Sequence, residues 1–480
     1  MIRVVAAVLA VLTVLCATAC TAGPQRPAPG TTPVHRQPPE QPFGLKWDGY
    51  QHPPTPHDAV IEAYGGGGTF HEIVWCAVEP RRGERNWWLD DRVVSDLLAY
   101  GYRVMLRIRV GSCWASGRPD AERPRVAVSY PPADTAAYEA FVRDTVTRYA
   151  AKGVHLYGIE NEIDAFTSWG VDPREYQVVG RAGARAVRAA DPAAKVLDAG
   201  VASAGYGITV AKALLDAGQP DRALTFYRDF YAGRGDGNFP LANSADELRA
   251  AFALPRAQRA ITAQDAVFEL DREGVFDIVQ LHYYAGWSAV PDVIDHIRAK
   301  VPASMPIEAW ELGTYWPGSD YDPALHGTET AKVVALLLAR GVKRIVYLPL
   351  NYKTKGALVS SEHWRGLYGA DNVARPAKLV YDKFREHFAT GTWHPVARQG
   401  LSGGLADQGA TTTMVLWSTS GAPVAQPLPA VDPSRPIAVT ALPNGRSWSW
   451  TSGTLEVGTE PLIVTFPAPY TDALRWLEAA

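Results

Sequence analysis

The feature that most constrains this chain is a repeated change of period. Between residues 43 and 390, short apolar runs of strand length alternate with longer stretches whose apolar residues recur at helical spacing. The runs fall at 44–47, 69–76, 102–110, 155–159, 195–202, 276–284, 305–312 and 344–350. A strand followed each time by a helix cannot turn back as a hairpin, so successive strands must pair in parallel. Strand-then-helix units in this number predict an α/β fold, a (β/α)8 TIM barrel over residues 43–390. A doubly wound sheet would carry a glycine-rich dinucleotide turn after its first strand, and none stands there. The glycines at 65–68 lack a following Lys-Ser or Lys-Thr, so they read as a helix stop rather than a phosphate loop. The crossover at 203–274 is unusually long and holds several helical segments.

The fourth run ends abruptly. Tyr157-Gly158-Ile159 is followed by Glu160-Asn161-Glu162 and then Asp164. Carboxylates and an amide at the end of an apolar strand are costly unless they line a wet cleft. In a barrel, that place is the rim where strand ends carry chemistry. The seventh run ends in Trp310-Glu311-Leu312-Gly313. Strands four and seven lie on opposite sides of a barrel, so Glu162 and Glu311 would face each other across one pit. Each alone reads as a solvated rim residue; together they have the makings of glycosidic cleavage. One carboxyl protonates the leaving oxygen, and the other attacks or activates water. A separation of about 5.5 Å implies retention and one of about 6.5–9.5 Å inversion, and the sequence leaves that open. Glu308 falls on the face opposite Glu311 by strand alternation, although a register in which it takes the role stays open. Glu160 reads as a structural partner of Arg107 or Arg109, and Asp164 as scaffolding.

These stretches carry a resemblance. IENEID (159–164), MPIEAWELG (305–313), DIVQLHYY (277–284), VEPRRGERNWW (78–88) and GLYGADNVARPAKLVYDKF (366–384) together resemble clan A of the glycoside hydrolases, with likeness to families 39, 42, 35 and 5. The resemblance covers about residues 43–390. It implies Glu162 as acid/base, Glu311 as nucleophile and Asn161 as a hydrogen-bond partner of the sugar hydroxyl beside the reacting carbon. It further implies Tyr284 as a donor to Glu311, with His282 nearby, and no cofactor and no metal. Strand eight in this clan often ends in a Trp under the sugar; here LPLNYK leaves Asn351 and Tyr352, or Trp364 further on. Trp75, Trp114, Trp287 and Trp316 flank strand ends and are candidate sugar platforms, since ring faces stack on the C–H faces of pyranoses. With 15 Trp and 21 Tyr, core packing accounts for most of the aromatic residues.

The termini read differently. Arg3 followed by an apolar run at 4–15 has the form of a signal peptide, residues 1–20, too short to span a membrane as a mature helix. Ala17-Thr18-Ala19-Cys20 resembles a lipobox, with Cys20 lipidated; simple secretion is the alternative. Residues 21–42 are a Pro-rich tether. Residues 391–480 hold short β-rich runs split by Gly, Pro and Ser, which predict a small β-sandwich. Past the leader only Cys76 and Cys113 remain; a disulfide and two buried thiols are both open. No Cys/His spacing reads as a zinc site, and a metal-dependent barrel hydrolase lacks a paired His motif. A net charge of −3 gives no case for nucleic acid. The sequence thus predicts an exported, retaining glycosidase acting on an oligo- or polysaccharide, touching the membrane only through a lipid anchor. A non-catalytic carbohydrate-binding lipoprotein on a degenerate barrel is the runner-up.

Overall fold

The structure is a computed structural model that describes residues 38–46, 58–118, 128–232, 239–314, 321–350, 366–369, 371–396 and 398–478. Cys20, Trp316 and Asn351, like Tyr352 and Trp364, lie outside the described residues.

Two parallel arcs form the first part of the chain. One holds β2 (Gly68–Val74), β3 (Arg103–Arg109), β4 (Leu156–Ile159) and β5 (Lys195–Leu197), in that order. The other runs β1 (Phe43–Leu45), β8 (Ile345–Tyr347), β7 (Ile307–Leu312), β6 (Val279–Tyr283). A parallel bridge, Leu197 to Ile278, links β5 to the β6 side. At the other seam a Cβ on Gly44 would stand 2.0 Å from the Gly68 carbonyl oxygen, so β1 and β2 meet only because Gly44 has no side chain. The arcs fit a TIM barrel, with helices between successive strands. Phe70, Met105, Leu197, Ile278, Trp310 and Val346 fill its lumen, and every strand of both arcs is largely buried on both faces, as parallel sheets are.

Several strands are shorter than the apolar runs. The fifth stops at Leu197 rather than 202, because the Asp198 carboxylate accepts from Gly200 N at 2.6 Å and from Gln280 N at 3.1 Å in place of a continued ladder. The second gives way at Trp75 to a helical turn, Trp75–Val78. Among its described residues the long crossover holds four helices, Ser203–Asp216, Pro220–Tyr231, Ala245–Phe252 and Pro255–Arg272. Asp134 caps the Thr135–Ala150 helix by accepting from Ala136 N and Ala137 N, which places β4 directly after it.

Cys76 and Cys113, just beyond the ends of β2 and β3, are joined by a disulfide with Cα atoms 5.6 Å apart. It closes a loop with a sequence separation of 37. Replacing both cysteines by Ser is expected to lower stability by about 2–4 kcal/mol, read as a fall in the urea midpoint under non-reducing conditions.

The C-terminal part is antiparallel. One sheet has the order β14 (Ser447–Trp450), β13 (Ile437–Ala441), β16 (Leu462–Phe466), β11 (Thr412–Ser418), β10 (Leu401–Asp407), β9 (Thr392–Pro395). Facing it is only a ribbon of β12 (Val424–Leu428) and β15 (Gly453–Val457). The expected sandwich is therefore lopsided, and the helix Tyr470–Glu478 completes the second layer, with Trp476 packed on Phe466. β11 is buried throughout because both faces of its sheet are covered. Met414 and Leu416 face the ribbon and helix, while Val415 and Trp417 face the barrel.

Candidate active site

The site is built around β7. Strand alternation puts Glu308 and Glu311 on opposite faces, and the structure overturns that. Gln280 pairs with Glu308 and Leu281 with Ala309, but His282 pairs with Glu311, leaving Trp310 as an extra residue. The same shift appears against β8, where Ala309 pairs with Ile345 and Leu312 with Tyr347. This bulge turns Glu311 into the lumen, one layer above Glu308. Glu308 is occupied below, accepting from Trp310 Nε1 at 2.9 Å and lying 3.5 Å from Arg344 Nε. It does not compete for the place of Glu311.

Glu311 is almost enclosed and thoroughly held. Arg107 Nη1 donates to its Oε1 at 3.0 Å, and Tyr284 OH donates to its Oε2 at 3.0 Å. Burial alone would raise its pKa; the charges of His282 and Arg107 and the hydrogen bonds from Arg107 and Tyr284 outweigh that and hold it below the usual carboxylate range. Arg107 comes from β3, where Met105, Arg107 and Arg109 point inward in alternation. Its Nη2 donates to Gln280 Oε1 at 2.8 Å, and Gln280 Nε2 donates to the Asp198 carbonyl at 2.6 Å. Glu72 on β2 stands 3.3 Å from both Arg107 and Arg109, and although burial opposes it, those cations draw its pKa down to about 2.

Glu162 lies past the end of β4, in the loop rather than the strand. Glu160 and Glu162 both have left-handed backbones, φ 66° and 41°. Such conformations cost roughly 1–3 kcal/mol each in residues other than glycine and persist where the surroundings enforce them. Here Glu162 N donates to the Ala199 carbonyl and Glu160 N to that of Ile108, each at 3.0 Å. Glu160 is fully buried: its Oε1 accepts from Val110 N at 2.8 Å, and its Oε2 lies 3.6 Å from Arg109 Nε. Asp164 accepts from Ala202 N at 2.8 Å, and burial, with help from the Glu162 charge, pushes it up to about 7.

His282 stands between the two candidate carboxylates. Its Nδ1 donates to Glu162 Oε1 at 2.9 Å and lies 3.7 Å from Glu311 Oε2. Burial lowers its pKa, but the facing carboxylates more than reverse this, so its proton is held more tightly than usual. The ring fits because residue 200 is glycine: a Cβ there would lie 2.9 Å from His282 Nε2, and its φ of 59° is left-handed. Ligand atoms of Glu162, His282 and Glu311, one from each, lie within 4.8 Å of one another. That is donor spacing for a cation, yet the Arg107 guanidinium already sits on Glu311 and opposes a second positive charge.

Asn161, Glu311, Arg107, Glu72, Lys46 and Phe70 help to line a cleft of about 610 Å³. Asn161 Oδ1 has no hydrogen-bond partner among the described residues, the condition of an acceptor awaiting a ligand. The aromatic candidates divide. Trp75 is 1% exposed, stacked on Phe141 with its Nε1 donating to Glu79, so it is not a sugar platform. Trp114 is tied to the Glu79 carbonyl through Nε1 and covered by Arg82. Trp287 meets Trp417 edge-on at 5.6 Å, against the C-terminal sheet rather than the cleft. Trp75 and Trp287 turn away from the cleft for one reason: a strand-end aromatic can fold outward onto a neighbouring layer, which linear position does not reveal, while Trp114 stays half-buried beside Trp75. Arg107 was legible only as a partner of Glu160; a buried Arg on an apolar strand was the signal for a larger role, as was Gln280 two residues before His282.

The parallel arcs, with carboxylates brought together from the ends of β4 and β7, can be compared with known folds. Solved structures that share this fold include a family 39 glycoside hydrolase from Bacteroides cellulosilyticus WH2, with TM-score 0.57 and 12% identity over 89% of this chain and 81% of that one. A family 39 β-xylosidase from Caulobacter crescentus gives TM-score 0.51 at 14% identity, covering 90% of this chain and 97% of its own. A glucosidase from Croceicoccus marinus gives 0.52 at 12%, covering 89% and 95%. Family 39 is one of the clan A families. No protein-family model and no curated protein matches the chain.

Proposed function

We propose that this protein is a glycoside hydrolase that cleaves O-glycosidic bonds of an oligo- or polysaccharide with retention of configuration. The observation that carries the reading is the closeness of Glu162 and Glu311: one carboxylate oxygen of each lies within 4.8 Å of one of the other. That spacing favours the retaining arrangement, about 5–5.5 Å between carboxyls, over one that leaves room for a water. The surroundings of Glu311 support its part in this reading. Glu311 is held ionised by Arg107 and Tyr284 and acts as the nucleophile: its Oε attacks the anomeric carbon as the glycosidic C–O bond breaks. Glu162 delivers its proton to the leaving oxygen, then takes a proton from the water that releases the sugar. His282 orients both carboxyls, and Asn161 meets the hydroxyl next to the reacting carbon. The fold neighbours include proteins named β-xylosidase, glucosidase and bifunctional glucanase-xylanase, which makes β-xylosides and β-glucosides the first substrates to try.

Hydrolysis of 4-nitrophenyl β-xyloside or β-glucoside followed by proton NMR tests the proposal. The first-formed sugar should be the β-anomer; a first-formed α-anomer overturns retention, and no turnover of any glycoside or polysaccharide overturns the enzyme reading. Glu162→Gln is expected to slow substrates with poor leaving groups by about 100- to 10,000-fold. Substrates whose leaving groups need no proton should be affected far less. A series of substituted phenyl glycosides measures this as a steep new dependence of rate on leaving-group acidity.

We read the two arcs as one closed eightfold barrel, and residues 1–20 as an export signal with Cys20 as the anchor site. The Cys76–Cys113 disulfide supports an oxidising compartment.

A further inference from the structure

The C-terminal sheet has more strands than the ribbon opposite it, and the uncovered end is the edge strand β14. There the inner face opens as a groove of about 940 Å³, walled on one side by Trp448 and Trp450 and on the other by β15 and the turn after it. A volume of this size falls in the range of sites that engulf a small ligand. From this lining we propose that the groove is a second carbohydrate site, which binds a neutral oligosaccharide segment of a longer chain.

The chemistry of the walls favours that ligand. Trp448 and Trp450 are two apart on a strand, so both indoles project from one face, roughly 7 Å apart along it. Both are half-buried, where an apolar core would have enclosed them. The turn into β15 keeps room for the second ring: Gly453 has φ 125°, and a Cβ there would lie 3.2 Å from Trp450 Cζ3. Around the aromatic floor stand Asn444, Arg446, Glu456 and Glu460, all exposed. Arg446 lies 5.1 Å from the Trp448 ring centre, a planar set of donors beside the stacking surface. Donors and acceptors in near balance suit the vicinal hydroxyls of a sugar. One arginine among two glutamates gives no attraction for nucleic acid or another polyanion, and charged residues at the rim are poor contacts for an apolar peptide. The argument rests on this lining and not on the activity of the barrel.

The test uses the full chain carrying Glu311→Gln, so that the polymer survives, in native gels containing neutral soluble xylan or mixed-linkage β-glucan. Retardation by at least one polymer is expected, and Trp448→Ala with Trp450→Ala should weaken it fivefold or more. In the Glu311 background these same changes should leave kcat/KM on a small aryl glycoside within about twofold. Arg446→Ala with Glu460→Ala, at the exposed rim, provides the same comparison should the tryptophan pair disturb folding. Equal retardation of all forms overturns the proposal, as does retardation of none. A dimer in sedimentation that the tryptophan changes dissolve also overturns it, by making a second copy the occupant. Turnover of aryl glycosides without retardation leaves the barrel reading standing and this one refuted. Retardation that needs the tryptophans, without turnover, does the reverse.

Discussion

Replacing Glu311 with Gly is expected to lower kcat by about 10,000-fold or more, the scale on which loss of a covalent nucleophile is felt. The remainder of the site should stay in place, because the cavity left by the side chain opens onto the cleft rather than into the core. Azide should enter that cavity and restore part of the rate on an activated aryl glycoside. The product of the rescued reaction should be a glycosyl azide of inverted configuration, since the small nucleophile attacks once and no second displacement follows. An unchanged kcat in the Glu311→Gly variant, or rescue giving the retained azide, removes Glu311 from the nucleophile role. The same experiment on Glu308→Gly should leave chemistry largely intact, because that carboxylate is engaged by Trp310 and Arg344 below the site.

The second large effect is expected at Arg107. Its guanidinium is 2% exposed and serves Glu311, Glu72 and Gln280 at once. Arg107→Met keeps an unbranched stem and removes the guanidinium with its charge. Buried Glu311 and Gln280 then lose a donor, while Glu72, partly exposed, keeps Arg109, at a cost of about 3–5 kcal/mol in stability. Catalysis should fall by about 100- to 1,000-fold, the effect of losing one preorganised electrostatic partner. A merely structural role would not move the pH profile, and that is the readout to follow. Arg107 lowers the pKa of Glu311, so its loss raises that pKa, and the acid limb of kcat/KM should shift to higher pH. The sign in stability agrees. A carboxylate with a depressed folded-state pKa stabilises the fold above its unfolded pKa and loses that contribution as pH falls through the folded value. The variant should therefore melt lower than the parent near neutral pH, and the gap should narrow in acid. Arg107→Lys should recover part of the pH shift but little of the rate, because an ammonium cannot fork between Glu311 and Gln280.

Much of this molecule could be read from residue order. Parallel pairing followed from alternation of period, and the polar end of the fourth run pointed to Glu162 because carboxylates do not follow an apolar strand without a reason. Tyr284, His282 and Asn161 were named through the clan A resemblance, and the structure places all three within the same cluster as Glu162 and Glu311. The aromatic platforms were not legible. Trp75, Trp114 and Trp287 sit beside strand ends in sequence, yet Trp75 and Trp114 pack on each other and on Glu79 while Trp287 turns to Trp417, and rotamer and neighbour decide that. The lopsided C-terminal sandwich was equally hidden, since short β-rich runs do not say which sheet each strand joins.

The contrast is sharpest in β7. The sequence by itself determined that a strand ending in Glu311 would stand across from Glu162, because strand count places it there. Which glutamate of that strand faces the lumen was decided only by the tertiary structure. A period of two assigns Glu308 and Glu311 to opposite faces without exception. One additional residue, Trp310, is accommodated against His282 and fills the lumen with Phe70 and Met105, and the period is broken at that point. Pairing energy from two neighbouring strands and the burial of one indole enforce the bulge, and neither is a property of the local sequence.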